Sequence, residues 1–350
     1  MMRGRFLNFF LNPTPKKWSL LSLTHHKSQS NPFTSIPNSV EANSKNLSPH
    51  DDGKIFTPSF GIIKTLHTSS VVKQSEKEEV EDSMWMKMKE EAKADVSVEP
   101  ILSGFYHISV LSHKSLESAL ANHLAVKLSS VSLPSTTLSD LFLGVLESDK
   151  DIMDAVKNDI KAVKERDPAC ITHVHCFLNF KGFLACQAHR IAHNLWTDDR
   201  KVLAVIIQNR VCEVFGVDIH PGAKFGSGIL FDHATGIVVG ETAVIGNDVS
   251  ILHSVTLGGT GKSHGDRHPK IGDGVLIGAG TCILGNVKVG EGAKIGAGSV
   301  VIKEVPPRTT VVGNPAKLVG GKNNPIKLDK IPSHTMDHVS NIAEFYDYVI

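Results

Sequence analysis

The sequence lacks long hydrophobic runs and any excess of charge of one sign. No stretch approaches the roughly 18 consecutive apolar residues that a membrane-spanning helix requires. The chain carries 37 basic and 36 acidic residues, a balance that gives no general attraction to nucleic acid or to an anionic membrane. We therefore expect neither nucleic acid nor a membrane as partner, and we expect recognition to depend on local groups.

Cysteines and aromatic residues are also scarce. The five cysteines form no Cys-x-x-Cys pair and are odd in number, which argues against a disulfide framework and against a zinc knuckle. They are more typical of small buried side chains in a reducing compartment than of nucleophiles. Aromatic residues make up 6% of the chain, as expected for a narrow β-structure built from Ile, Val, Ala and Gly. We expect no metal site.

The first 40 residues contain no acidic residue. They are basic and rich in Ser, Thr and Asn, and three phenylalanines (Phe6, Phe9 and Phe10) can form a short apolar face. Such leaders are typical of organellar transit peptides, and we favour the mitochondrion over the chloroplast, with the cytosol as an alternative. We assign residues 1–74 to a transit peptide and disordered leader, the alternative being an ordinary disordered tail.

A helical pattern occupies the region after the leader. Apolar residues recur at i+4 spacing, which predicts amphipathic helices that pack on a core. A sequence of capping-box form, Ser148-Asp-Lys-Asp151, opens one of them, and Pro168 follows its end. The region is predicted as a helical domain over residues 75–215. The stripes are Val80/Met84/Met88, Leu116/Leu120/Leu124/Leu128, Ile152/Val156/Ile160/Val163, Phe180/Leu184/Ala188/Ile191/Leu195 and Val202 to Val214.

A six-residue repeat then replaces the helical pattern. Aliphatic residues return every six positions, and a glycine follows most of them. The period predicts a triangular parallel β-helix with about 18 residues per coil and roughly four coils, because six residues fit one flat face of such a prism. The chain is therefore predicted to be an α+β protein, with the β-helix at 216–315 and a flexible tail at 316–350. The repeat positions are Ile271, Ile277, Ile283, Val289, Ile295 and Val301, preceded by Val239, Ile245, Ile251 and Leu257 and, more loosely, by Ile219, Phe225, Phe231 and Ile237.

Polar residues crowd one part of the repeat region. Residues 216–270 hold many Asp, Glu, His and Arg side chains that a β-helix does not need. Within them, Gly258–Lys270 interrupts the six-residue period and is predicted to leave the prism as a loop. Loops carried by a rigid scaffold are common places for binding and catalytic groups, so we expect the functional site here.

The motifs of this segment resemble those of the serine O-acetyltransferases, members of the hexapeptide-repeat acyltransferase family. The resemblance covers about residues 80–320. It implies a left-handed β-helix, and transfer of acetyl from acetyl-coenzyme A to the hydroxyl of L-serine, giving O-acetylserine for cysteine biosynthesis. The leader and the C-terminal Asp347-Tyr-Val-Ile350 resemble organellar plant members. The motifs are Arg166-Asp-Pro-Ala169, Asp218-Ile-His-Pro221, Asp232-His-Ala-Thr-Gly236, Val255-Thr-Leu-Gly-Gly-Thr260 and Gly265-Asp-Arg-His-Pro269.

Acetyl transfer needs a general base, because a serine hydroxyl is a poor nucleophile at neutral pH. Imidazole is suited to this task, and a carboxylate on its second nitrogen fixes the tautomer. By motif matching, the resemblance makes His233 the base and Asp218 its partner. The two residues are 15 positions apart, nearly one coil, which would allow them to lie near each other on adjacent coils.

The remaining site residues also come from the resemblance. Serine is a zwitterion, so its ammonium group needs carboxylates and its carboxylate needs cations. Asp167 and Asp232 match the ammonium side, the alternative for Asp167 being a solvated residue at a helix end. Arg267 and His268 match the carboxylate side, and Glu241 is a further residue of the substrate site. Coenzyme A is implied to contact Gly259, Thr260, Ala279 and Ala297, and backbone amides of Gly258–Thr260 are candidate oxyanion donors, although any β-helix corner uses such small residues. No permanently bound cofactor is implied, only acetyl-coenzyme A as co-substrate.

The resemblance further implies a homo-oligomer, a dimer of trimers. It also implies that the tail binds O-acetylserine thiol-lyase through Tyr348, Val349 and Ile350, the alternative being a frayed terminus. Two rival functions remain open on the sequence. One is a zinc hydratase of the γ-carbonic-anhydrase type, because five histidines fall in residues 220–268. The other is a chain that serves mainly as a regulatory or scaffold subunit of the cysteine synthase complex.

Overall fold

The structure is a computed structural model, which describes residues 83–261 and 264–340. The predicted leader (1–74), residues 75–82 and the tail residues Tyr348, Val349 and Ile350 lie outside the described residues. In the part that is described, no helix is long and apolar enough to cross a membrane.

Eight helices form the N-terminal part of the described chain. Apart from Val80, which lies outside the described residues, the apolar stripes of the sequence lie along helices with a buried face, although Val202 and Val214, the two ends of the last stripe, are exposed. The helices α2, α4 and α6 carry no stripe that the sequence analysis recognised. A 3-10 turn (Pro100–Leu102) and a π turn (His107–Leu111) flank α2. The helices are α1 (Ser83–Val98), α2 (Ser103–Tyr106), α3 (Leu116–Leu128), α4 (Ser135–Ser148), α5 (Lys150–Arg166), α6 (His173–Asn179), α7 (Lys181–Thr197) and α8 (Lys201–Phe215).

The N-terminus of α5 differs from the predicted capping box. Asp149, rather than Ser148, is the capping residue, and its carboxylate accepts hydrogen bonds from the backbone N–H of Asp151 and Ile152 at 3.1 and 3.3 Å. Ser148 instead closes α4, with its hydroxyl donating to the carbonyl of Val145. The cap lies one residue later because the carboxylate, with no proton to share, is the better acceptor for free N–H groups at a helix start.

Short strands wind into a parallel β-helix after α8. They form three sheets, in the order β1-β4-β7-β10-β13 (five-stranded), β11-β8-β5-β2 (four-stranded) and β15-β14-β12-β9-β6-β3 (six-stranded). The solenoid has about five coils, one more than predicted, because it continues past Val301 to β14. The strands are β1 (Asp218–Ile219), β2 (Lys224–Phe225), β3 (Leu230–Asp232), β4 (Val238–Val239), β5 (Val244–Ile245), β6 (Ser250–Leu252), β7 (Thr256–Gly258), β8 (Lys270–Ile271), β9 (Leu276–Ile277), β10 (Cys282–Leu284), β11 (Lys288–Val289), β12 (Lys294–Ile295), β13 (Val300–Val301), β14 (Thr310–Val312) and β15 (Lys317–Leu318).

The coils are not equal in length. Val239 pairs with Leu257, eighteen residues further on, as the repeat predicts. Ile219, however, pairs with Val239 at twenty residues, and Leu257 pairs with Ile283 at twenty-six. The two extra residues of the first coil lie in the corner after β3, and the eight extra residues of the long coil lie in the predicted loop 258–270. The interior aliphatic residues stay stacked and buried, so the insertions affect only the corners.

Two corners of the prism carry most of the predicted site residues. The histidine corner lies between the six-stranded and five-stranded sheets, and contains His233, His253, Ala279 and Ala297. The arginine corner lies between the five-stranded and four-stranded sheets, and contains Glu241, Gly259, Arg267 and His268.

A buried carboxylate, Asp159, joins the helices to the first coil. It accepts hydrogen bonds from Gln187 Nε2 (2.9 Å), from Arg190 Nη2 (2.8 Å) and from the backbone N–H of Ile229 (2.8 Å). The same Arg190 nitrogen also donates to the carbonyl of Gly226 at 2.7 Å. Since Asp159 is fully buried and its two oxygens both accept hydrogen bonds, it fixes α5 and α7 against the start of the β-helix.

The packed structure continues beyond residue 315, where the sequence places the start of a flexible tail. β15 pairs antiparallel with β14, and a short helix, α9 (Pro332–Thr335), follows. Lys294 is buried and donates hydrogen bonds to the carbonyls of Asp337 (3.1 Å) and Ser340 (2.6 Å). Residues 316–340 therefore belong to the fold, because they cover the side of the solenoid that the six-stranded sheet would otherwise expose.

Candidate active site

His233 lies on the two-residue insertion at the histidine corner. His233 and Ala234 both adopt left-handed backbone conformations, with φ of 56° and 59°. Such conformations are unfavourable for residues other than glycine. They turn the imidazole outward, and its side chain is 75% exposed. Its Nε2 lies 3.7 Å from Oδ1 of Asp232. The corner therefore presents an accessible imidazole beside a carboxylate.

Asp218, the predicted partner of His233, makes a different contact in this structure. Its Oδ1 accepts a hydrogen bond from Nε2 of Gln208, on α8, at 2.7 Å. Among the described residues, the ion pair of His233 is with Asp232, and no hydrogen bond joins His233 to Asp218. The dyad of His233 and Asp218 therefore stays a prediction.

His253 is a site residue to which the sequence analysis gave no role. Phe231 pairs with Ile251 and Asp232 with Leu252, so His253 occupies on the next coil the place that His233 has on the first. The two rings are 5.8 Å apart in an edge-to-face arrangement. Nδ1 of His253 is buried and has no hydrogen-bond partner among the described residues. His253 could have been found from its spacing of twenty residues from His233. A strict six-residue repeat predicts a spacing of eighteen and therefore does not align the two histidines.

Two of the predicted coenzyme A contacts continue the same corner. The backbone N–H of Gly280 donates to the carbonyl of His253 (3.0 Å), and that of Gly298 donates to the carbonyl of Ala279 (2.8 Å). Ala279 and Ala297 thus stack below His253 along the prism. Both are at least partly accessible, so this corner offers a shallow surface of small residues that leads to His233.

The arginine corner brings together the residues predicted for the serine carboxylate. Nη2 of Arg267 pairs with Oε2 of Glu241 at 2.6 Å. The hydroxyl oxygen of Thr242 accepts from the backbone N–H of both Arg267 and His268, at 3.0 and 3.1 Å. His268 packs against Gly240, where a Cβ atom would overlap its ring, so only glycine fits there. The corner is therefore a rigid cluster that holds Arg267 and His268 side by side.

The charges of this cluster follow from its contacts. The hydrogen bond from Arg267 lowers the pKa of Glu241, which keeps the carboxylate ionised. Burial, and secondarily the charge of Arg267, lowers the pKa of His268. Nδ1 of His268 accepts the backbone N–H of Thr242 at 3.1 Å, so the neutral imidazole carries its proton on Nε2. The cluster thus offers one cation and one neutral N–H donor.

Asp167 caps the C-terminal end of α5. Its Oδ1 accepts a hydrogen bond from the backbone N–H of Ala169 at 2.8 Å. This turn explains why an acid is found at a helix end, where the helix dipole disfavours negative charge. The residue is half-buried rather than fully solvated. Its role toward a substrate stays a prediction.

The two corners lie at opposite edges of the five-stranded sheet. Six residues separate His253 from Gly259, which corresponds to about 20 Å of extended chain. A serine molecule is much smaller than this width. One chain therefore does not bring Asp232 and His233 together with Arg267 and His268, and it separates Ala279 and Ala297 from Gly259 and Thr260 in the same way.

Sequence comparisons assign the chain to a family. Residues 84–188 match the family model described as "Serine acetyltransferase, N-terminal", and residues 268–303 match "Bacterial transferase hexapeptide (six repeats)". The chain is 68% identical over 287 residues to serine acetyltransferase 3, mitochondrial, of Arabidopsis thaliana, covering 82% of this chain and 73% of that protein. The chain belongs to the serine acetyltransferase family. A second relative, serine acetyltransferase 1, chloroplastic, of the same plant, is 64% identical over 84% of this chain and 92% of its own length.

Solved serine acetyltransferase structures have the same fold. The soybean enzyme complexed with serine superposes with a TM-score of 0.66 at 62% identity, over 67% of this chain and 96% of that one. The Brucella abortus enzyme in complex with coenzyme A gives 0.67 at 46% identity, over 69% and 97%. These similarities confirm the predicted helical domain and β-solenoid, and they confirm serine O-acetyl transfer over the zinc-hydratase alternative.

Proposed function

We propose that this serine acetyltransferase binds acetyl-coenzyme A and L-serine together and transfers the acetyl group directly to the serine hydroxyl. The observation that carries the proposal is the division of the predicted substrate groups between two corners of one prism. Each corner holds half of a serine site and half of a coenzyme A site. The soybean relative binds serine and the Brucella relative binds coenzyme A, which supports the two ligands.

His233 is the proposed general base. Its neutral imidazole takes the hydroxyl proton as the oxygen attacks the acetyl carbonyl, and the resulting imidazolium needs a carboxylate. Asp218 supplies it through Oδ2, since the hydrogen bond from Gln208 is made to Oδ1. The exposed His233 side chain has room to turn toward Asp218.

The developing oxyanion requires a hydrogen-bond donor near His233. His253 is beside it on the next coil, with a ring nitrogen that has no partner among the described residues. The amides of Gly258–Thr260 lie at the arginine corner, so they act only where a second subunit brings that corner close. We therefore propose His253 as a donor to the acetyl oxygen in addition to those amides.

Serine itself is held by charges of opposite sign. Arg267 and His268 donate to its carboxylate, and Glu241 keeps the guanidinium in place through the 2.6 Å pair. Asp167 and Asp232 accept from its ammonium group. The two aspartates that accept from the serine ammonium group belong to the His233 side, and the two residues that donate to the serine carboxylate belong to the arginine corner. Serine therefore bridges the two corners.

A complete site then forms between subunits. The histidine corner of one subunit faces the arginine corner of the next, and coenzyme A lies in the groove between Ala279 and Ala297 on one side and Gly259 and Thr260 on the other. Such a contact joins unlike surfaces, and it closes into a ring when each subunit is rotated by a third of a turn. Pairing of two trimers through their helical domains then gives the implied hexamer.

Mixed oligomers test the composite site. His233→Ala and Arg267→Ala each inactivate one corner, and co-expression of the two chains produces sites that contain one intact corner from each. Random mixing should restore roughly a quarter of wild-type activity, because one in four interfaces joins two intact corners. Two His233→Ala chains carrying different tags serve as control and should stay inactive. Failure of the mixed oligomers to exceed the single variants would place the whole site within one chain.

The leader and the last residues of the tail lie beyond the described residues. The basic, acid-poor leader supports import into an organelle, and the mitochondrial and chloroplastic relatives support both destinations. We favour the mitochondrion. A fluorescent protein fused to residues 1–74 should co-localise with a mitochondrial marker, whereas chloroplast or diffuse fluorescence would contradict the assignment. The tail is proposed to bind O-acetylserine thiol-lyase.

A further inference from the structure

Arg166 is a buried cation at the end of α5, directly before Asp167. The residue is only 7% exposed. Nη1 donates to the carbonyl of Gly228 at 2.9 Å and more weakly to the hydroxyl of Ser250 at 3.4 Å, and Nη2 pairs with Oδ1 of Asp248 at 2.7 Å. All three acceptors belong to the first two coils of the β-helix, so the guanidinium fixes the last residue of α5 to the solenoid.

The attachment of the helices does not depend on Arg166 alone. Asp159 and Arg190 already join α5 and α7 to Gly226 and Ile229 of the first coil. Removing a guanidinium from water is unfavourable unless its hydrogen bonds are replaced, as they are here by a carbonyl, a carboxylate and a hydroxyl. A second buried arginine at the extreme end of the helix therefore points to a requirement for accurate placement of that end.

The residue that gains from this placement is Asp167. Its backbone N–H closes the helix on the carbonyl of Val163 (3.0 Å), and its carboxylate closes the next turn on Ala169 (2.8 Å). The turn is thus rigid within itself, and Arg166 sets where it stands against the solenoid.

The anchor points of Arg166 belong to the same sheet as the second proposed ammonium ligand. Gly228 lies two residues before β3, whose last residue is Asp232, and Ser250 opens β6, which pairs with β3. The guanidinium therefore forms a short connection between the Asp167 turn and the strand that carries Asp232.

We infer that Arg166 is a positioning residue that holds Asp167 at the separation from Asp232 at which both carboxylates reach the serine ammonium group. The inference rests on the proposed role of Asp167 in serine binding. Arg166 itself touches no substrate, and it acts through the position of the neighbouring carboxylate.

Arg166→Lys is the first test, because lysine keeps the charge but its single ammonium cannot span Gly228, Ser250 and Asp248 as the planar guanidinium does. We expect the KM for serine to rise about tenfold, the loss of one charge-assisted hydrogen bond. The KM for acetyl-coenzyme A should stay close to wild type, and the melting temperature of the oligomer, although lowered by the unpaired acceptors, should stay above the assay temperature. Arg200→Lys is the matched control, since Arg200 is exposed and makes none of these contacts.

A double-mutant cycle with Asp167→Asn separates positioning from general destabilisation. If Arg166 acts through Asp167, then Arg166→Lys should not raise the KM for serine further once the carboxylate is gone. Full additivity, equal effects on both substrates, or an unchanged KM for serine would overturn the inference. If Asp167→Asn alone leaves that KM unchanged, the proposed role of Asp167 fails first, and the inference fails with it.

Asp248→Asn provides the second variant in case Arg166→Lys does not fold. It weakens the half-exposed ion pair while leaving the guanidinium buried on Gly228. The expected rise in the KM for serine is smaller, about threefold, and should also vanish in the Asp167→Asn background. A rise that persists in that background would contradict the positioning role.

Discussion

His233 pairs an unfavourable backbone conformation with an exposed side chain, and both follow from the two residues inserted before β4. His233→Ala should lower kcat by roughly 10²–10⁴-fold, the usual contribution of a positioned general base. Asp218→Asn should lower kcat less, because the base remains and only its orientation suffers. Steady-state rates with saturating substrates measure both. His107→Ala, at an exposed position in the helical domain, is the control. A His233→Ala enzyme with near wild-type turnover and intact assembly would exclude the base.

Arg267 is held by Glu241, so substitutions of the two residues should act in the same direction but to different degrees. Arg267→Ala removes a bidentate donor and should weaken serine binding by roughly 1.5–3 kcal/mol, seen as a raised KM for serine. Glu241→Gln leaves the guanidinium present but less well oriented, and its effect should be smaller. The KM for acetyl-coenzyme A should change little in either variant. Equal weakening of both substrates would assign the cluster to the cofactor side.

The candidate site residues were named from motifs, but the contacts that they make could not be. Matching the motifs named Glu241, Arg267 and His268, and the structure clusters them. The same matching paired His233 with Asp218, whereas the structure gives Asp218 to Gln208 and places another histidine beside His233. Pairings across coils depend on coil length, and two inserted residues shift every cross-coil neighbour of the corner without altering a motif.

His123 makes the packing of α3 on α6 sensitive to pH. The residue is buried, its Nε2 donates to the carbonyl of Leu178 at 3.2 Å, and its ring stacks on Phe177. Burial, and then the charge of Lys127, lowers the pKa of His123 to about 4. The neutral form is therefore the one that the folded state accepts, while the unfolded chain binds a proton near pH ~6.5.

The resulting stability is fully present above pH ~6.5 and is lost as the pH falls toward 4, because the unfolded state then binds more protons. The change corresponds to about 3 kcal/mol across that interval. Urea unfolding at fixed protein concentration measures the free energy of unfolding, which should fall between about pH 7 and about pH 4. The fall should be smaller by this amount in His123→Leu. His107→Leu, at an exposed position, should retain the wild-type dependence. An unchanged slope in His123→Leu would show that other groups dominate the acid response.

Periodicity found the helices whose apolar stripes are regular, and it missed those held mainly by their neighbours. α4 begins Ser-Thr-Thr and contains Gly144, so its sequence has weak helical preference, yet Leu138 and Phe142 are buried against the core. α6 is only seven residues long. Likewise, no repeat marks residues 316–340, and their order comes from contacts such as Lys294 with the carbonyls of Asp337 and Ser340. Tertiary contacts of this kind leave no local pattern.

Residues Tyr348–Ile350 offer a test, at the scale of the whole molecule, of the proposed assembly with O-acetylserine thiol-lyase. Ile350 has an aliphatic side chain, which suits the amino-acid pocket that we propose the tail to enter on that enzyme. Deletion of Tyr348–Ile350 should abolish co-purification with O-acetylserine thiol-lyase. Serine acetylation should remain, because every proposed catalytic and substrate-binding residue lies at or before Ala297.

Pull-down of the partner and the acetylation rate, measured on the same preparation, check this expectation. Added O-acetylserine should compete with the intact tail and release the partner, since both would occupy the same pocket. Val339→Ala, at an exposed position that precedes the deleted residues, is the control and should leave binding unchanged. Full affinity in the truncated chain would move the contact to the β-helix or to the helical domain.

The unequal coils have a consequence for how the molecule tolerates mutation. Insertions of two and eight residues at corners leave the stacked aliphatic residues in register. Each six-residue unit therefore contains both an interior position, which stabilises the fold, and corner positions, where candidate site residues lie. Each coil contacts only its neighbours, which keeps the effect of a change local. Tolerance to substitution should therefore vary with the period of the repeat itself. Interior positions and the tightly packed corner glycines restrict the size of the side chain, while the inserted corner residues can change in number and charge.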